Sequence, residues 1–381
     1  MAKKVLFLIE SLAGGGAEKV LITLLNHMNR QAFDVTLCCV SNVKAFLDEL
    51  DPSVDHRSIL PEPSKLSGMS FLLYKLKYKL VYSWLPIHWV YRLFVPKGYD
   101  VEVAFVEGFA TKLIAASSSK VSKKIAWVHI DLEHLPWTQD NGIFRSLEEE
   151  KACYSRFDRI ICVSQAVADA FKRIYEPKTT VSVLHNPIDS RHIVSRAKED
   201  CPIPSKSCIR LVSMGRLVPQ KAFDRLLRVA SRLKKDGFSF ELWILGDGRD
   251  RRLLDDLIDK EHLRENVVLW GFKQNPYPYI ASADLFVCSS IAEGFSTAII
   301  EALVLGVPVV ATDCAGVREL LEGSGCGIIS SNDDESLYFA LKQVLGYSQT
   351  LLSLKQSAHI MKNAFPLEPA LASIEFLLAT C

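Results

Sequence analysis

The sequence has no long apolar run, no Cys-x-x-Cys pair, no Asp-x-Asp pair and almost no net charge, and each absence excludes something. The longest stretches free of Asp, Glu, Lys and Arg are 12 residues, at 80–91 and 343–354, against the roughly 20 apolar residues that a bilayer-spanning helix needs. No membrane-crossing helix is expected. The apolar run 5–9 behind Lys3 and Lys4 is cut by Glu10, which is too short for an export signal and reads as a first β-strand. Ten cysteines are scattered with no His at zinc-finger spacing, so they are expected to be reduced core residues of a cytoplasmic protein. Lys and Arg number 45 against 44 Asp and Glu, a formal charge of +1. That leaves no whole-protein field for nucleic acid or an anionic membrane, so a charged partner must be met locally.

What is present is an ordinary globular composition, 49% hydrophobic and 23% charged over 381 residues, enough for two domains with large cores. Short runs rich in Val, Ile and Leu alternate with segments of helical period, which argues parallel sheets covered by helices. Strands are expected at 4–9, 34–40, 101–106, 124–128, 159–163 and 180–184, with helices over 17–28, 110–117 and 164–174, the last capped by Ser164. The pattern repeats with strands at 209–214, 241–246, 267–269, 285–288, 309–312 and 327–329. Between the two sets, 187–207 holds Pro187, Pro202 and Pro204 and has no clean period, as a linker would. The expected organisation is α/β: a first Rossmann-like domain over 1–186, the linker 187–207, a second Rossmann-like domain over 208–362, and a closing helical segment over 363–381. Doubly wound domains bind ligands at the carboxyl ends of their strands, so a central cleft is the expected site.

One segment breaks the alternation. Residues 65–97 hold Lys65, Lys75, Lys77, Lys79, Arg92 and Lys97, no acid, and the interleaved aromatics Phe71, Tyr74, Tyr78, Tyr82, Trp84, Trp89, Tyr91 and Phe94. Such a stretch suits a membrane surface, and it equally suits a helical insertion packed on the first domain with its lysines solvated.

Three motifs carry chemistry. After the first strand, Gly14, Gly15 and Gly16 lead straight into a helix, where the backbone can approach a ligand closely and N–H groups can meet a phosphate. Lys19 stands where Gly-x-Gly-x-x-Gly needs its third glycine, so neither this fingerprint nor a P-loop is present. At the start of the second domain, Gly215, Arg216 and Lys221 leave a strand together; a guanidinium fork and an ammonium suit a diphosphate. Third, Glu293 and Glu301 bracket Phe295, Ser296 and Thr297 at a helix start, where backbone N–H groups again suit a phosphate.

Together these residues resemble the retaining glycosyltransferases of the GT-B fold, family 4. The second half matches in Gly215-Arg216 through Lys221, Leu245 to Gly248, Gly271-Phe272, Ala283 to Val287, the Glu293-x7-Glu301 signature and Gly306 to Ala311. The opening Gly-Gly-Ala-Glu is similar to the bacterial subset that builds capsules, O-antigens and lipid-linked oligosaccharides. The resemblance implies that Arg216 and Lys221 neutralise a departing nucleoside diphosphate, Glu301 holds the ribose, Glu293 holds the donor sugar and Phe272 lies beside the base. It further implies that the 295–297 loop and the Gly14 to Gly16 turn give N–H groups to phosphates and sugar, and that His129 contacts the donor sugar. Ala222 departs from the glycine usual after the lysine, which at the sequence level only stiffens a helix start.

The expected activity is transfer of a hexosyl or N-acetylhexosaminyl group from a nucleotide sugar, UDP-linked first of all, to a lipid-linked saccharide or glycan with retention, in polysaccharide or lipopolysaccharide synthesis. No cofactor and no metal are expected, because fixed cations take the leaving-group charge and no Asp-x-Asp pair is there to hold one. The expected place is the cytoplasm, peripheral at the inner face of the cytoplasmic membrane. A sugar-nucleotide 2-epimerase shares the fold and stands as the alternative; a nicotinamide-dependent oxidoreductase suffers from the missing fingerprint.

Overall fold

The computed structural model describes residues 2–43 and 45–381. The chain divides into two compact units, Met1–Pro187 with Glu368–Cys381, and Ile188–Leu367. The first unit runs β1 (Lys3–Ile9), α1 (Gly16–His27), β2 (Phe33–Ser41), β3 (Asp55–Leu60), α2 (Gly68–Lys79), α3 (Ile87–Phe94), β4 (Val101–Ala104), α4 (Phe109–Ala115), β5 (Lys123–Val128), α5 (Trp137–Asp140), α6 (Leu147–Tyr154), β6 (Arg159–Cys162), α7 (Gln165–Tyr175) and β7 (Thr180–Val183). Its sheet has the order β3-β2-β1-β4-β5-β6-β7 and every pairing is parallel. Residues Val5 to Ile9 are at most 1% exposed, as a central strand covered on both faces requires. The order runs outward from β1 and β4 in both directions, so loops leaving β1, β4 and β5 are neighbours at one edge. Ser164 caps α7, its hydroxyl accepting from Val167 N at 3.2 Å.

β3 was not among the expected strands. It is an edge strand whose Asp55, His56 and Arg57 hide the apolar signal, and only Ile59 and Leu60 are buried.

The second unit runs α8 (Ser190–Arg196), β8 (Ile209–Met214), α9 (Phe223–Lys235), β9 (Phe240–Leu245), α10 (Arg251–Lys260), β10 (Val267–Gly271), α11 (Tyr277–Ala281), β11 (Leu285–Cys288), α12 (Thr297–Val304), β12 (Val309–Thr312), α13 (Val317–Leu321), β13 (Gly327–Ser330), α14 (Asp334–Gly346) and α15 (Ser348–Ile360). Its parallel sheet has the order β10-β9-β8-β11-β12-β13. Helix α9 shows why the segment is helical: Phe223, Leu226, Leu227, Ala230 and Leu233 form one buried stripe at the spacing of 3.6 residues per turn. They meet Leu242, Ile244, Leu285 and Val287 in one core, each such side chain contributing roughly 1.5–3 kcal/mol through burial. The final helix, α16 (Leu367–Thr380), belongs to the first unit; Lys3 Nζ donates to its Ala379 carbonyl at 3.0 Å and Glu375 accepts from Asn29 N at 2.7 Å.

The segment expected as a linker, 187–207, starts with α8, capped by Asp189, whose carboxylate accepts from His192 N at 2.8 Å. Its one buried residue, Ile193, is too few to show a period in the sequence.

The 65–97 insertion splits in two. Helix α3 buries Val90 and Tyr91, and the Tyr91 hydroxyl donates to Glu102 Oε1 at 2.9 Å. Helix α2 buries none of its residues, although Met69, Leu72 and Leu73 are 71%, 60% and 58% exposed. Between them Leu80–Trp84 is a π-helical turn, closed by Leu85 N donating to the Leu80 carbonyl at 3.1 Å.

Candidate active site

In the second unit the strand ends at the carboxyl edge bring three loops together. Lys221 ends a 3-10 turn after β8, and its ammonium donates to Glu293 Oε1 at 2.6 Å. Ser290 Oγ donates to the same oxygen at 2.6 Å, and the Cys288 thiol reaches it at 3.8 Å. Burial disfavours the charged Lys221, but Glu293 outweighs that and the ammonium is held above its ordinary pKa. The stem of Lys221 lies over Gly215, where an added Cβ would sit 3.2 Å from it, so this glycine makes room for the lysine.

Arg216 behaves differently. It is exposed, its guanidinium has no hydrogen-bond or ion-pair partner among the described residues, and its charge is near enough to oppose the protonation of Lys221. A paired lysine and an unpaired arginine thus leave the same strand.

The loop from Ser289 to Ser296 is held from several sides. Ile291 N donates to the Gln220 carbonyl at 2.8 Å, and Gln220 Nε2 donates to the Ala292 carbonyl at 2.9 Å. Thr312 Oγ1 donates to the Ser290 carbonyl at 2.6 Å, and Asn332 Nδ2 to the Ile291 carbonyl at 2.8 Å. Gly316, at φ 74°, would place a Cβ 2.2 Å from the Gly294 carbonyl oxygen. The loop delivers Phe295 and Ser296 to the start of α12, where the Ser296 carbonyl accepts from Ile300 N at 3.2 Å. The Ser296 hydroxyl makes no capping bond, so the first-turn N–H groups from Thr297 onward present their partial positive charge without a side-chain cap. Glu301, one turn further, is 3% exposed and accepts from the Tyr277 hydroxyl at 3.4 Å. Phe272 follows Gly271 (φ 72°) beyond β10 and is 47% exposed.

Ala222 needs a correction. It does more than stiffen the start of α9: it occupies the left-handed region at φ 47° and ψ 45° while 3% exposed, a conformation that costs a non-glycine residue roughly 1 kcal/mol.

In the first unit, Gly14 (φ 105°) and Gly15 precede α1. Glu18 folds back so that an added Cβ on Gly15 would meet its carboxylate at 2.3 Å. The turn expected to greet a phosphate thus has the Glu18 side chain folded against it. His129 follows β5. Its Nε2 is buried with no partner among the described residues, and burial pushes its pKa down to about 3 against the weaker effect of a hydrogen bond to the Phe105 carbonyl. Burial thus favours the neutral ring, and with its proton on Nδ1 such a ring offers Nε2 as an acceptor fit for a hydroxyl. The His129 backbone is pinned by Glu107: Oε1 accepts from His129 N and from Ile130 N, the latter at 2.9 Å.

Sequence reasoning passed over Ser290, Gln220, Thr312, Asn332, Tyr277 and Glu107. All are brought in by tertiary packing, and only Glu107, a carboxylate before Gly108 at a strand end, carried a visible signal. Asp131, Glu133 and His134 bring ligand atoms within 4.8 Å of one another. Glu133 is already forked by Arg173 at 2.6 Å, and Asp131 accepts from two backbone N–H groups, at 2.9 and 3.3 Å.

Similar proteins are known for both halves of the chain. A family model described as Glycosyltransferase Family 4 matches residues 14–192, and one described as Glycosyl transferases group 1 matches 208–346. The Campylobacter jejuni N-acetylgalactosamine-N,N'-diacetylbacillosaminyl-diphospho-undecaprenol 4-alpha-N-acetylgalactosaminyltransferase is 30% identical over 94% of each chain. A lipopolysaccharide core biosynthesis glycosyltransferase of Rhizobium meliloti, LpsE, is 28% identical over 53% of this chain and 58% of its own. Among solved structures, Anabaena HepE in complex with UDP-glucose has a TM-score of 0.74 at 21% identity, over 99% of this chain and 100% of that one. Sucrose-phosphate synthase from Thermosynechococcus elongatus has a TM-score of 0.75 at 15% identity, over 98% of each chain. The epimerase alternative finds no support here. Two parallel-sheet units, matched models in both halves and a relative of 30% identity along the chain make this protein a member of glycosyltransferase family 4, with the GT-B fold.

Proposed function

We propose that the protein moves a hexosyl or N-acetylhexosaminyl group, with retention, from a nucleotide sugar to a lipid-linked saccharide in cell-surface polysaccharide synthesis. UDP is the first candidate for the nucleotide. The observation that carries the donor half is Lys221 held 2.6 Å from Glu293 beside the exposed Arg216 and the α12 N-terminus. The names of the Campylobacter enzyme and of HepE bound to UDP-glucose support the choice of acceptor and donor class.

Breaking the anomeric C–O bond leaves charge on the diphosphate. Arg216 is the unpaired guanidinium fork for that charge and Lys221 the ammonium held by Glu293, with the N–H groups of Phe295 to Thr297, at and just before the start of α12, adding a preorganised dipole. Glu293 has one oxygen engaged by Lys221 and Ser290; its other oxygen is the one to accept from a donor-sugar hydroxyl. Glu301 takes the ribose and Phe272 the base. On the first unit, His129 Nε2 accepts from a sugar hydroxyl and the Gly14 to Gly16 turn approaches it by backbone. Fixed cations make a metal unnecessary in this reading.

Helix α2 supports a peripheral membrane role, at the inner face of the cytoplasmic membrane. Its apolar side chains are uncovered, and Lys75, Lys77, Lys79 and Arg92 hang over the rings of Phe71, Phe94, Trp84 and Trp89 at 4.7 to 5.6 Å. Apolar side chains ringed by cations, with no acid from 65 to 97, complement an anionic lipid surface.

Thermal stability in the presence of UDP, GDP, ADP, dTDP, CMP and NAD, with and without EDTA, tests the donor half. A ligand at 100 times its dissociation constant adds about 2.7 kcal/mol. A shift with one nucleoside diphosphate that survives EDTA and disappears in Lys221→Ala is expected; a shift with NAD alone, or with none, overturns the reading.

A further inference from the structure

Glu10 stands one residue beyond β1, Phe109 opens α4 after β4, and His129 follows β5. Because β1, β4 and β5 are consecutive in the sheet, all three belong to one edge of the first unit. A file of aromatic rings leads away from that edge along the insertion. Phe109 meets Tyr82 at 4.6 Å between centroids, Tyr82 meets Tyr78 at 4.7 Å, and Tyr78, Tyr74 and Phe71 follow at 6.1 Å each. Tyr78 is 45% exposed and Phe71 36%.

At the inner end of this file the Tyr82 hydroxyl donates to Glu10 Oε1 at 3.2 Å. The π-helical turn, a distortion frequent at functional sites, carries Tyr82 inward to this bond while Trp84 in the same turn is 58% exposed. Glu10 Oε2 has no protein donor among the described residues. Burial raises the pKa of Glu10, and the Tyr82 bond only partly offsets it. A carboxylate taken partly from water and given one weak protein donor is a costly arrangement unless a ligand completes it.

Carbohydrates offer what this arrangement lacks. Their hydroxyl groups donate to a carboxylate more strongly than to a neutral acceptor, and the apolar face of a pyranose packs on an aromatic ring. We infer that Glu10, Tyr82 and Tyr78 form a subsite for the saccharide portion of the acceptor. Glu10 Oε2 accepts from a sugar hydroxyl, Tyr82 orients the carboxylate, and the exposed ring of Tyr78 carries the sugar face. The subsite rests on the proposed function for the identity of its ligand as a saccharide, and all three of its residues belong to the first unit.

Saturation-transfer NMR on the full chain tests it, using octyl α-glucoside, octyl α-galactoside and octyl α-N-acetylgalactosaminide as probes, each with and without saturating UDP. At least one glycoside is expected to bind, with its dissociation constant raised about tenfold in Glu10→Gln, the size of losing a hydrogen bond to a charged group. Tyr82→Phe, which keeps the ring and its packing, is expected to weaken the same glycoside severalfold. UDP affinity stays within about twofold of wild type in both variants. Equal glycoside binding by wild type and both variants overturns the subsite, as does the absence of binding by any of the three. Loss of UDP binding in wild type counts against the donor reading instead, and leaves the glycoside comparison made without UDP standing.

Discussion

Lys221 and Glu293, 72 residues apart in the chain, meet at 2.6 Å with side chains 19% and 8% exposed. The pair sets the lysine in place without a ligand, and Ser290 donates to the same carboxylate oxygen at 2.6 Å. Arg216, by contrast, is free to fold onto a ligand.

That contrast separates the two cations experimentally. Arg216→Ala and Lys221→Ala are each expected to lower turnover at least about 10²-fold, the effect of losing one preorganised charge-stabilising donor. Only Lys221→Ala is expected to destabilise the apo protein, by about 3 kcal/mol, because it leaves a buried carboxylate unpaired. Urea unfolding beside a nucleoside-diphosphate release assay reads both effects; equal stability losses in the two variants contradict the pairing.

Gly316→Ala is expected to cost at least about 2 kcal/mol and to weaken nucleotide binding, since its Cβ would sit 2.2 Å from the Gly294 carbonyl at the root of the Glu293 loop. Gly323 has almost the same φ, 71°, and nothing within 4 Å of an added Cβ. Gly323→Ala is therefore expected to cost only about 1 kcal/mol and to leave nucleotide affinity unchanged. Calorimetric titration of both variants checks the difference.

Ala222→Gly relieves the left-handed strain but removes a buried methyl, two effects of roughly 1 kcal/mol each. The variant is expected within about 1 kcal/mol of wild type. Ala222→Val, with a β-branched side chain at φ 47°, is expected to lose more than about 2 kcal/mol. Denaturant midpoints of the two variants decide it.

Burial raises the pKa of Glu107 from 4.5 to about 7, against the hydrogen bonds from its own backbone and from His129 and Ile130. The folded protein thus binds this proton more tightly than the unfolded chain. The stability it contributes is complete below about pH 4.5 and is lost as pH rises toward 7, by about 3 kcal/mol. Glu107→Gln removes that dependence while its amide oxygen can still accept from His129 and Ile130. Measured from pH 5 to pH 8, the stability of the variant relative to wild type is expected to rise by up to about 3 kcal/mol; a flat difference rules the burial effect out.

Vesicle sedimentation tests the insertion. Binding to anionic vesicles is expected to fall at high salt and in a Lys75/Lys77/Lys79 triple Gln variant, by about 1 kcal/mol per lysine at low salt. Binding indifferent to anionic lipid and to the triple variant contradicts a membrane role for α2.

The fold and the loops of the candidate site were legible because their signals are local. Central strands buried on both faces show as apolar runs, α9 shows its stripe, and Gly215 to Lys221 and Glu293 to Glu301 each fit in a short window. β3 was hidden by Asp55, His56 and Arg57, because an edge strand need bury only part of one face. Helix α8 was hidden because a single buried residue makes no period.

What the amino-acid order determines by itself is therefore the alternation of strand and helix, the loops at which glycines and cations leave a sheet, and the family. Tertiary structure alone decided that Lys221 is paired while Arg216 is not, that Ala222 is strained, that Glu18 closes over Gly15, and that Glu10 meets Tyr82. These are relations between distant segments, or between a backbone dihedral and its neighbours. They depend on which oxygen faces which donor after packing, and neither periodicity nor spacing carries that information.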